Sequence, residues 1–260
     1  MTGDALAREL AERASESLEP IYVRLDRIAE EVLRARPPRA AFTEAHLSNL
    51  QRLLVVFIGE ERAAWGMGFI AAPSVVEGRA RYMAWWQRFG DRVARLQLNF
   101  DPASIDVYDY LQMDWYQLAR RGQARVAYGP YVDYSGSDMY TITATIPVVA
   151  DGVFLGLAGA DLVVGEVEHR LLSVLRQTAE DAVIVSAERC VITANTPRWL
   201  VGSRLAALPT AGPATDPSAF REVVEMPLGT GWVLAVAWPA DDATKGRRPR
   251  TPSSSAPNAV

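Results

Sequence analysis

The sequence predicts an α+β fold in which N-terminal helices precede two modules, each built on an antiparallel sheet. Apolar residues recur at spacings of three, four and seven over residues 4–35, as in an amphipathic helix. Threonines alternate with apolar residues over 141–146, a period of two that indicates a strand, and Asp151-Gly152 then signals a hairpin turn. A second set of short strand patterns follows after residue 178. Together these observations favour two small α+β modules over a single parallel sheet.

The N-terminal region is predicted to be helical as far as Pro37-Pro38, which ends the pattern. Pro20 lies inside the apolar repeat and predicts a break into two helices. Thr43 is a suitable N-cap for a further helix ending near Ile58. The apolar stripe of the first region has two interpretations: it packs along its own domain, or it forms a homodimer.

The first module is expected to contain a strand at 66–72 and a helix at 79–96. That helix would carry Trp85 and Trp86, which we interpret as structural residues. The central stretch, 108–161, follows and ends in two strands. The second module is predicted to begin with a helix at 166–176, followed by paired strands at 181–192 with a turn at 187–188. A loop with a short helix at 195–205 and two strands at 223–226 and 232–238 would complete it.

Composition sets limits on function. The chain has 260 residues, of which 49% are hydrophobic and 22% charged, so a sizeable core is expected. A net charge of −4 gives no overall basic surface for direct nucleic-acid binding. The single cysteine, Cys190, excludes an intramolecular disulfide and argues against most zinc sites. We predict neither a metal nor a cofactor.

Residues 108–161 combine aromatic rings with carboxylates. The aromatic residues are Tyr108, Tyr110, Trp115, Tyr116, Tyr128, Tyr131, Tyr134 and Tyr140. The acidic residues in or beside the stretch are Asp106, Asp109, Asp114, Asp133, Asp138 and Asp161. Aromatic faces beside carboxylates, held on a hairpin, form a suitable cage for a small organic cation.

Four motifs in this stretch resemble those of one known family. They are Trp115-Tyr116, GPYVD at 129–133, TIPV at 145–148 and GVFLGLAGADL at 152–162. In this order they resemble the ligand-binding module of double Cache (dCache) sensor domains, and the resemblance extends over roughly residues 53–238. It implies two PAS-like modules. The expected division is a helical region at 1–52, a ligand-binding module at 53–165, a smaller module at 166–240 and a disordered tail at 241–260.

The resemblance also implies a ligand. Amino-acid-binding members of the family use an Arg two residues before the Trp-Tyr pair to hold the ligand carboxylate, and here Met113 occupies that position. Methionine cannot replace those charge-assisted hydrogen bonds, whereas Asp161 can still hold an ammonium group. The sequence therefore resembles the amine-binding variant. The candidate ligand-binding residues are Tyr108, Met113, Asp114, Trp115, Tyr116, Tyr131, Asp133 and Asp161.

Other interpretations stay open. The aromatic residues can be core residues, and Asp161 can cap a helix that begins near Val164. Asp133 can be a turn residue, and Asp114 a solvated acid at a helix N-terminus. An amino-acid or organic-acid sensor would need Arg120, Arg121 or Arg125 as its anchor. A module without a ligand, used for structure or interaction, is a further alternative.

An enzyme is not predicted, because no phosphate-binding loop or metalloprotease motif is present and no motif ties Cys190 to either histidine. The N-terminus lacks an apolar leader and no apolar run reaches membrane-spanning length, so we expect a cytoplasmic sensor without a membrane partner. Its signal would pass to an unidentified partner, for which a transcription regulator is one candidate.

Overall fold

The computed structural model describes residues 4–101, 103–105, 107–134, 139–216 and 218–239. Its architecture is α+β, with an N-terminal helix and two antiparallel sheets, which confirms the predicted fold class. The predicted disordered tail at 241–260 lies outside the described residues, as do Asp106 and Asp138.

The helices are α1 (Asp4–Ala35), α2 (Leu50–Glu60), α3 (Asp114–Arg120) and α4 (Val164–Leu175), with 3-10 helices at Glu44–Leu47 and Tyr110–Gln112. The strands of the larger sheet are β1 (Ala64–Ala71), β2 (Met83–Phe89), β3 (Arg92–Arg95), β4 (Val126–Val132), β5 (Tyr140–Ala150) and β6 (Val153–Val163). Those of the smaller sheet are β7 (Ala182–Val185), β8 (Val191–Ala194), β9 (Glu222–Glu225) and β10 (Val233–Val236).

The larger sheet has the strand order β3-β2-β1-β6-β5-β4, and each of its neighbouring pairs is antiparallel. Its centre is the long β5–β6 hairpin predicted from the sequence. Asp151 and Gly152 form the turn, with φ values of 52° and 74°. Positive φ at both central residues suits the right-handed twist of the strands that the turn joins.

The first helix is continuous, so the predicted break at Pro20 is wrong. Proline removes one backbone hydrogen bond from a helix interior and costs about 3 kcal/mol. Pro20 lies on the exposed side of α1, whereas its neighbours Leu18, Ile21 and Tyr22 are buried. Packing of this buried stripe offsets the local cost of the proline.

Helix α1 holds the two sheets together. The Tyr22 hydroxyl donates to the Val126 carbonyl of the larger sheet over 2.8 Å. The Glu222 carboxylate, on β9 of the smaller sheet, accepts from the Ala7 amide over 2.9 Å. A carboxylate at this end of α1 also complements the positive end of the helix dipole.

The predicted helix at 79–96 is wrong, because this segment forms the hairpin β2–β3. Gly90, with a φ of 59°, lies in the turn. Successive side chains of a strand point to opposite faces, so Trp85 and Trp86 are buried on different sides of the sheet. The Gly90-Asp91 pair indicates this turn in the sequence, but the apolar residues around it also suited a helix.

Two smaller differences concern the ends of helices. Thr43 begins the short 3-10 helix Glu44–Leu47, where its amide donates to His46 Nδ1 over 3.1 Å, and α2 starts separately at Leu50. The predicted short helix at 195–205 is absent from that described segment.

The smaller sheet has the order β8-β7-β10-β9. Trp232, next to β10, is almost fully buried, and its indole nitrogen donates to the Ala127 carbonyl of β4 over 3.1 Å. The division of the chain at residues 52, 165 and 240 stays a prediction.

Candidate functional site

The two faces of the larger sheet differ in character. Ile142, Ala144 and Ile146 of β5 pack into the same apolar core as α1. The intervening residues, Thr141, Thr143 and Thr145, lie on the opposite face and are buried as well. That face is covered by a second apolar cluster that includes Trp85, Trp115 and Leu157. Polar groups buried under aromatic rings are an arrangement typical of a small-molecule site.

Asp161 lies in β6 on this second face. It pairs with Thr143 of β5 and Gly66 of β1, and only 9% of its surface is exposed. The Thr143 hydroxyl donates to Asp161 Oδ1 over 2.8 Å. The Tyr131 and Thr143 hydroxyls are 2.7 Å apart. Because the single Thr143 proton is directed to the carboxylate, Tyr131 is the donor in that second bond. Tyr131, Thr143 and Asp161 thus form one hydrogen-bonded chain across three strands.

A bulge in β4 directs Tyr131 towards this chain. Between Tyr128 and Tyr131 the register with β5 shifts, so that two residues face one. Gly129 has a φ of 126°, and a Cβ there would lie 2.9 Å from the Thr141 carbonyl oxygen, so only glycine suits this position. The extra residue puts Tyr128 and Tyr131 on the same face, with ring centroids 5.7 Å apart.

The aromatic cluster over the sheet comes from α3 and the segments before it. Tyr108, Tyr110, Trp115 and Tyr116 are all buried. Their rings form a network of tilted and edge-to-face contacts: Tyr110–Tyr116 at 5.4 Å, Trp115–Tyr116 at 6.4 Å, Tyr116–Phe154 at 5.9 Å and Phe100–Tyr108 at 6.5 Å. These geometries are favourable for aromatic pairs, so the rings support one another.

The electrostatics of the site centre on Asp161. The pKa of this carboxyl group is raised from its usual 3.8 to about 7, mainly by burial and also by the nearby Asp133, while the Thr143 hydrogen bond acts in the opposite direction. Burial also raises the pKa values of Tyr108 and Tyr131, and the carboxylates of Asp133 and Asp161 raise them further. The two phenols are therefore neutral, and a cation between them would favour the ionised form of Asp161.

The structure brings six of the predicted site residues together: Tyr108, Trp115, Tyr116, Tyr131, Asp133 and Asp161. Met113 is half-buried, packs against the same cluster and is the N-cap of α3. Asp114 is exposed, and its carboxylate accepts from the Tyr128 hydroxyl over 2.6 Å, so it lies at the rim. Whether any of these residues contacts a ligand stays a prediction. Two aromatic residues of the central stretch, Tyr134 and Tyr140, are exposed.

Sequence reasoning did not assign three residues of this face to the site: Trp85, Thr143 and Tyr128. The Thr143 signal was visible in the strand alternation. The Trp85 signal was masked by the wrong helix prediction. Gly66, Gly68 and Gly159, which leave room for its ring, could have indicated it.

Two polar atoms of the aromatic cluster are buried without a hydrogen-bond partner among the described residues. They are Trp85 Nε1 and the Tyr116 hydroxyl. Such atoms are costly unless satisfied, and they occur at sites that take up polar ligands.

The structure argues against some alternatives. Val163, and not Asp161, is the N-cap of α4, so Asp161 is not a capping residue. Cys190 is buried beside β8 of the smaller sheet and is not a member of the aromatic cluster. Within the described ranges, no group of three His, Cys, Asp or Glu residues could hold a metal ion.

Residues 50–168 match a family model described as the first PDC sensor domain of methyl-accepting chemotaxis protein-like proteins. The matched segment includes the larger sheet and every residue of the site. A search of curated proteins found no match.

Solved structures with a similar fold are also sensory proteins. A protein named methyl-accepting chemotaxis protein X is 16% identical, with a TM-score of 0.60, and the alignment covers 90% of this chain and 95% of that one. The ligand-binding domain of the Campylobacter jejuni chemoreceptor Tlp3, in complex with L-valine, is 14% identical with a TM-score of 0.58, covering 92% and 93%. The extracellular domain of a protein described as a histidine kinase is 16% identical with a TM-score of 0.58, covering 92% and 94%.

These findings support a Cache-type (PDC) sensor. The three structures are a chemotaxis protein, the ligand-binding domain of a chemoreceptor and the extracellular domain of a kinase, so none is the catalytic part of an enzyme, in agreement with the non-enzymatic prediction. The family model over residues 50–168 and the shared fold agree with the resemblance noted in the sequence. The amine-binding variant is a finer assignment that the comparisons leave open.

The predicted cytoplasmic localisation is wrong. It rested on the lack of a leader and of long apolar runs, and such absences do not locate a sensor domain. Similar solved structures are extracellular domains of proteins described as histidine kinases, which points away from the cytoplasm. Among the described residues, no helix combines the length and apolarity that a membrane crossing requires.

Proposed function

We propose that this chain is the sensing region of a signalling protein and that its ligand is a small organic ammonium compound. The observation that carries the proposal is Asp161, an acid buried under aromatic rings with Asp133 as its electrostatic neighbour. Ionisation of a buried carboxyl group next to a second acid is unfavourable, and a bound cation would offset this cost.

The residues around Asp161 supply the remaining recognition. Each aromatic ring that faces an ammonium group contributes about 0.5–2 kcal/mol through cation–π attraction. Tyr131 and Thr143 fix the orientation of the carboxylate through their hydrogen bonds of 2.7 and 2.8 Å. Met113 contributes an apolar surface where a carboxylate-binding arginine would otherwise lie.

An amino-acid sensor is the second candidate. The buried Trp115 indole N–H, which interacts with the Tyr131 hydroxyl, can instead donate to a ligand carboxylate. Tlp3, which has a similar fold, was solved with L-valine and with isoleucine. The two candidates differ in one group of the ligand, the carboxylate.

The signal would pass to a partner protein, as the similarity to chemotaxis and kinase proteins supports. The extracellular origin of similar kinase domains supports a site of action outside the cytoplasm. A homodimer through α1 and a transcription regulator as partner stay predictions without support from the comparisons.

The test is calorimetric titration of a matched pair, isobutylamine and L-valine, which differ only by the carboxylate. We expect the amine to bind tighter to the wild-type protein. Met113→Arg should weaken amine binding through repulsion of like charges and improve binding of valine. Tighter binding of valine by the wild type would favour the amino-acid sensor. Failure of a broad set of amines, amino acids and organic acids to bind would favour a module without a ligand.

A further inference from the structure

Trp85 lies directly on the backbone of the sheet. A Cβ placed on Gly66 would be 2.5 Å from Trp85 Nε1, and one on Gly68 would be 2.9 Å from its Cε3. A Cβ on Gly159 would be 3.4 Å from Cζ3 of the same ring. The indole therefore spans β1 towards β6, over three positions that have no side chain. Only 1% of its surface is exposed.

The indole nitrogen of Trp85 has no hydrogen-bond partner among the described residues. By contrast, Trp232 and Trp238 donate to the carbonyls of Ala127 and Gly212 over 3.1 and 2.9 Å. Trp65, which is partly exposed, is unpaired as well. A missing hydrogen bond is therefore not sufficient to indicate a ligand contact, and the inference for Trp85 depends on the position of its indole nitrogen.

That position is next to the buried acid. Trp85 Nε1 lies over Gly66, and Gly66 pairs with Asp161 across β1 and β6. Side chains at paired positions of antiparallel strands are neighbours on one face of the sheet. The N–H donor and the carboxylate thus lie side by side, and no hydrogen bond joins them. Thr143, on the other side of Asp161, occupies only its Oδ1 atom.

We propose that Trp85 determines specificity by donating its indole N–H to an oxygen of the ligand. The preferred ligands are then ammonium compounds that carry a hydroxyl or carbonyl oxygen two carbons from the nitrogen. Asp161 holds the ammonium group and Trp85 holds the oxygen. This inference rests on the proposed function, because it assumes that a cation binds beside Asp161.

The probes are ethanolamine and propylamine, which have nearly the same size and charge and differ by a hydroxyl against a methyl group. A site that contains an unpaired donor discriminates against a ligand without the matching acceptor. We expect the wild type to bind ethanolamine at least about tenfold tighter than propylamine, since one hydrogen bond in a buried site is worth roughly this factor.

Trp85→Phe keeps an aromatic ring over the glycines and deletes the N–H group. It should weaken ethanolamine binding about tenfold, leave propylamine within about twofold and so remove the preference. Trp86→Phe is the matched control. Its ring lies on the opposite face, 5.5 Å from the Arg95 guanidinium, and the preference should persist.

A measurement on the wild-type protein covers the case in which Trp85→Phe does not fold. In the NMR spectrum, the Trp85 indole proton should move downfield with ethanolamine and not with propylamine. Equal affinities of the wild type for both amines, or an unmoved indole proton, would overturn this inference and leave the proposed function intact. Binding of no amine at all would overturn both.

Discussion

Replacement of Asp161 by asparagine should make the ligand-free protein more stable and prevent ligand binding. Asparagine has nearly the same size, and its carbonyl oxygen can still accept the Thr143 hydroxyl, which now lies 2.8 Å from Asp161 Oδ1. Only the ionisable group is removed. A substitution that raises stability and prevents ligand binding identifies a residue that is retained for function although it destabilises the folded protein.

The magnitude follows from the pKa of the buried acid. The usual value is 3.8 and the value in the folded protein is about 7, a difference of about three. At about 1.4 kcal/mol for each pKa unit, the ionised group destabilises the folded state by about 4 kcal/mol above pH 7. Between the two values the folded protein binds more protons than the unfolded chain. Its stability therefore falls as the pH rises through this window, and the penalty is absent below pH 3.8.

The assay is urea unfolding without ligand at pH 5 and pH 8. Because the unfolded chain is already mostly ionised at pH 5, only about 2–3 kcal/mol of the difference develops between pH 5 and pH 8. The free energy of unfolding of the wild type should fall by that amount relative to Asp161→Asn.

The control is Asp91→Asn, which removes an exposed charge in the β2–β3 turn and should follow the wild type. If the free energy of unfolding of the wild type and of Asp161→Asn changed equally between pH 5 and pH 8, the predicted destabilisation by Asp161 would be refuted. Ionisation of Asp161 would then cost no more than ionisation of a surface acid. Retained amine affinity in Asp161→Asn would separately refute its role as the counter-charge.

Three further predictions concern pH, ion pairing and packing. Amine affinity should fall about tenfold from pH 8 to pH 6 and about tenfold again by pH 5, because Asp161, with a pKa of about 7, becomes protonated; titration calorimetry giving a flat profile would contradict this. Glu61→Gln should lower the free energy of unfolding in urea by about 3 kcal/mol, because the buried Glu61 carboxylate lies 2.5 Å from the Arg170 guanidinium and 3.8 Å from that of Arg24. A loss below about 1 kcal/mol, the value of a surface salt bridge, would contradict this prediction. Gly66→Ala should cost about 1–3 kcal/mol and shift the tryptophan fluorescence, because its Cβ would lie 2.5 Å from Trp85 Nε1; an unchanged spectrum and stability would place the indole elsewhere.

Local patterns in the sequence were sufficient for much of the fold. The threonine alternation and the Asp151-Gly152 turn predicted the β5–β6 hairpin, because period and turn chemistry act over a few residues. The helix after Val164 and the paired strands around residue 187 were predicted for the same reason. The composition of the central stretch, aromatic rings with acids, also marked the region that forms the site.

Tertiary structure decided what local patterns leave open. The segment containing Trp85 and Trp86 suits a helix or a strand, and only pairing with β1 made it a strand with one ring on each face. Pro20 breaks isolated helices, yet α1 stays continuous because its buried stripe packs against both sheets. Such outcomes depend on partners distant in sequence, which no local preference encodes.

The same distinction applies within the site. Asp114 and Asp161 are chemically equivalent in the sequence, but strand register buries one beside Thr143 while the other stays exposed at the rim. The bulge at Gly129 decides that Tyr131 points towards Asp161. The sequence alone determined which carboxyl and aromatic groups the central stretch contains. The tertiary structure determined which of them are buried. Burial, more than residue type, controls the charge state of a carboxyl group and the need of an indole for a partner, and burial is a property of the assembled sheet.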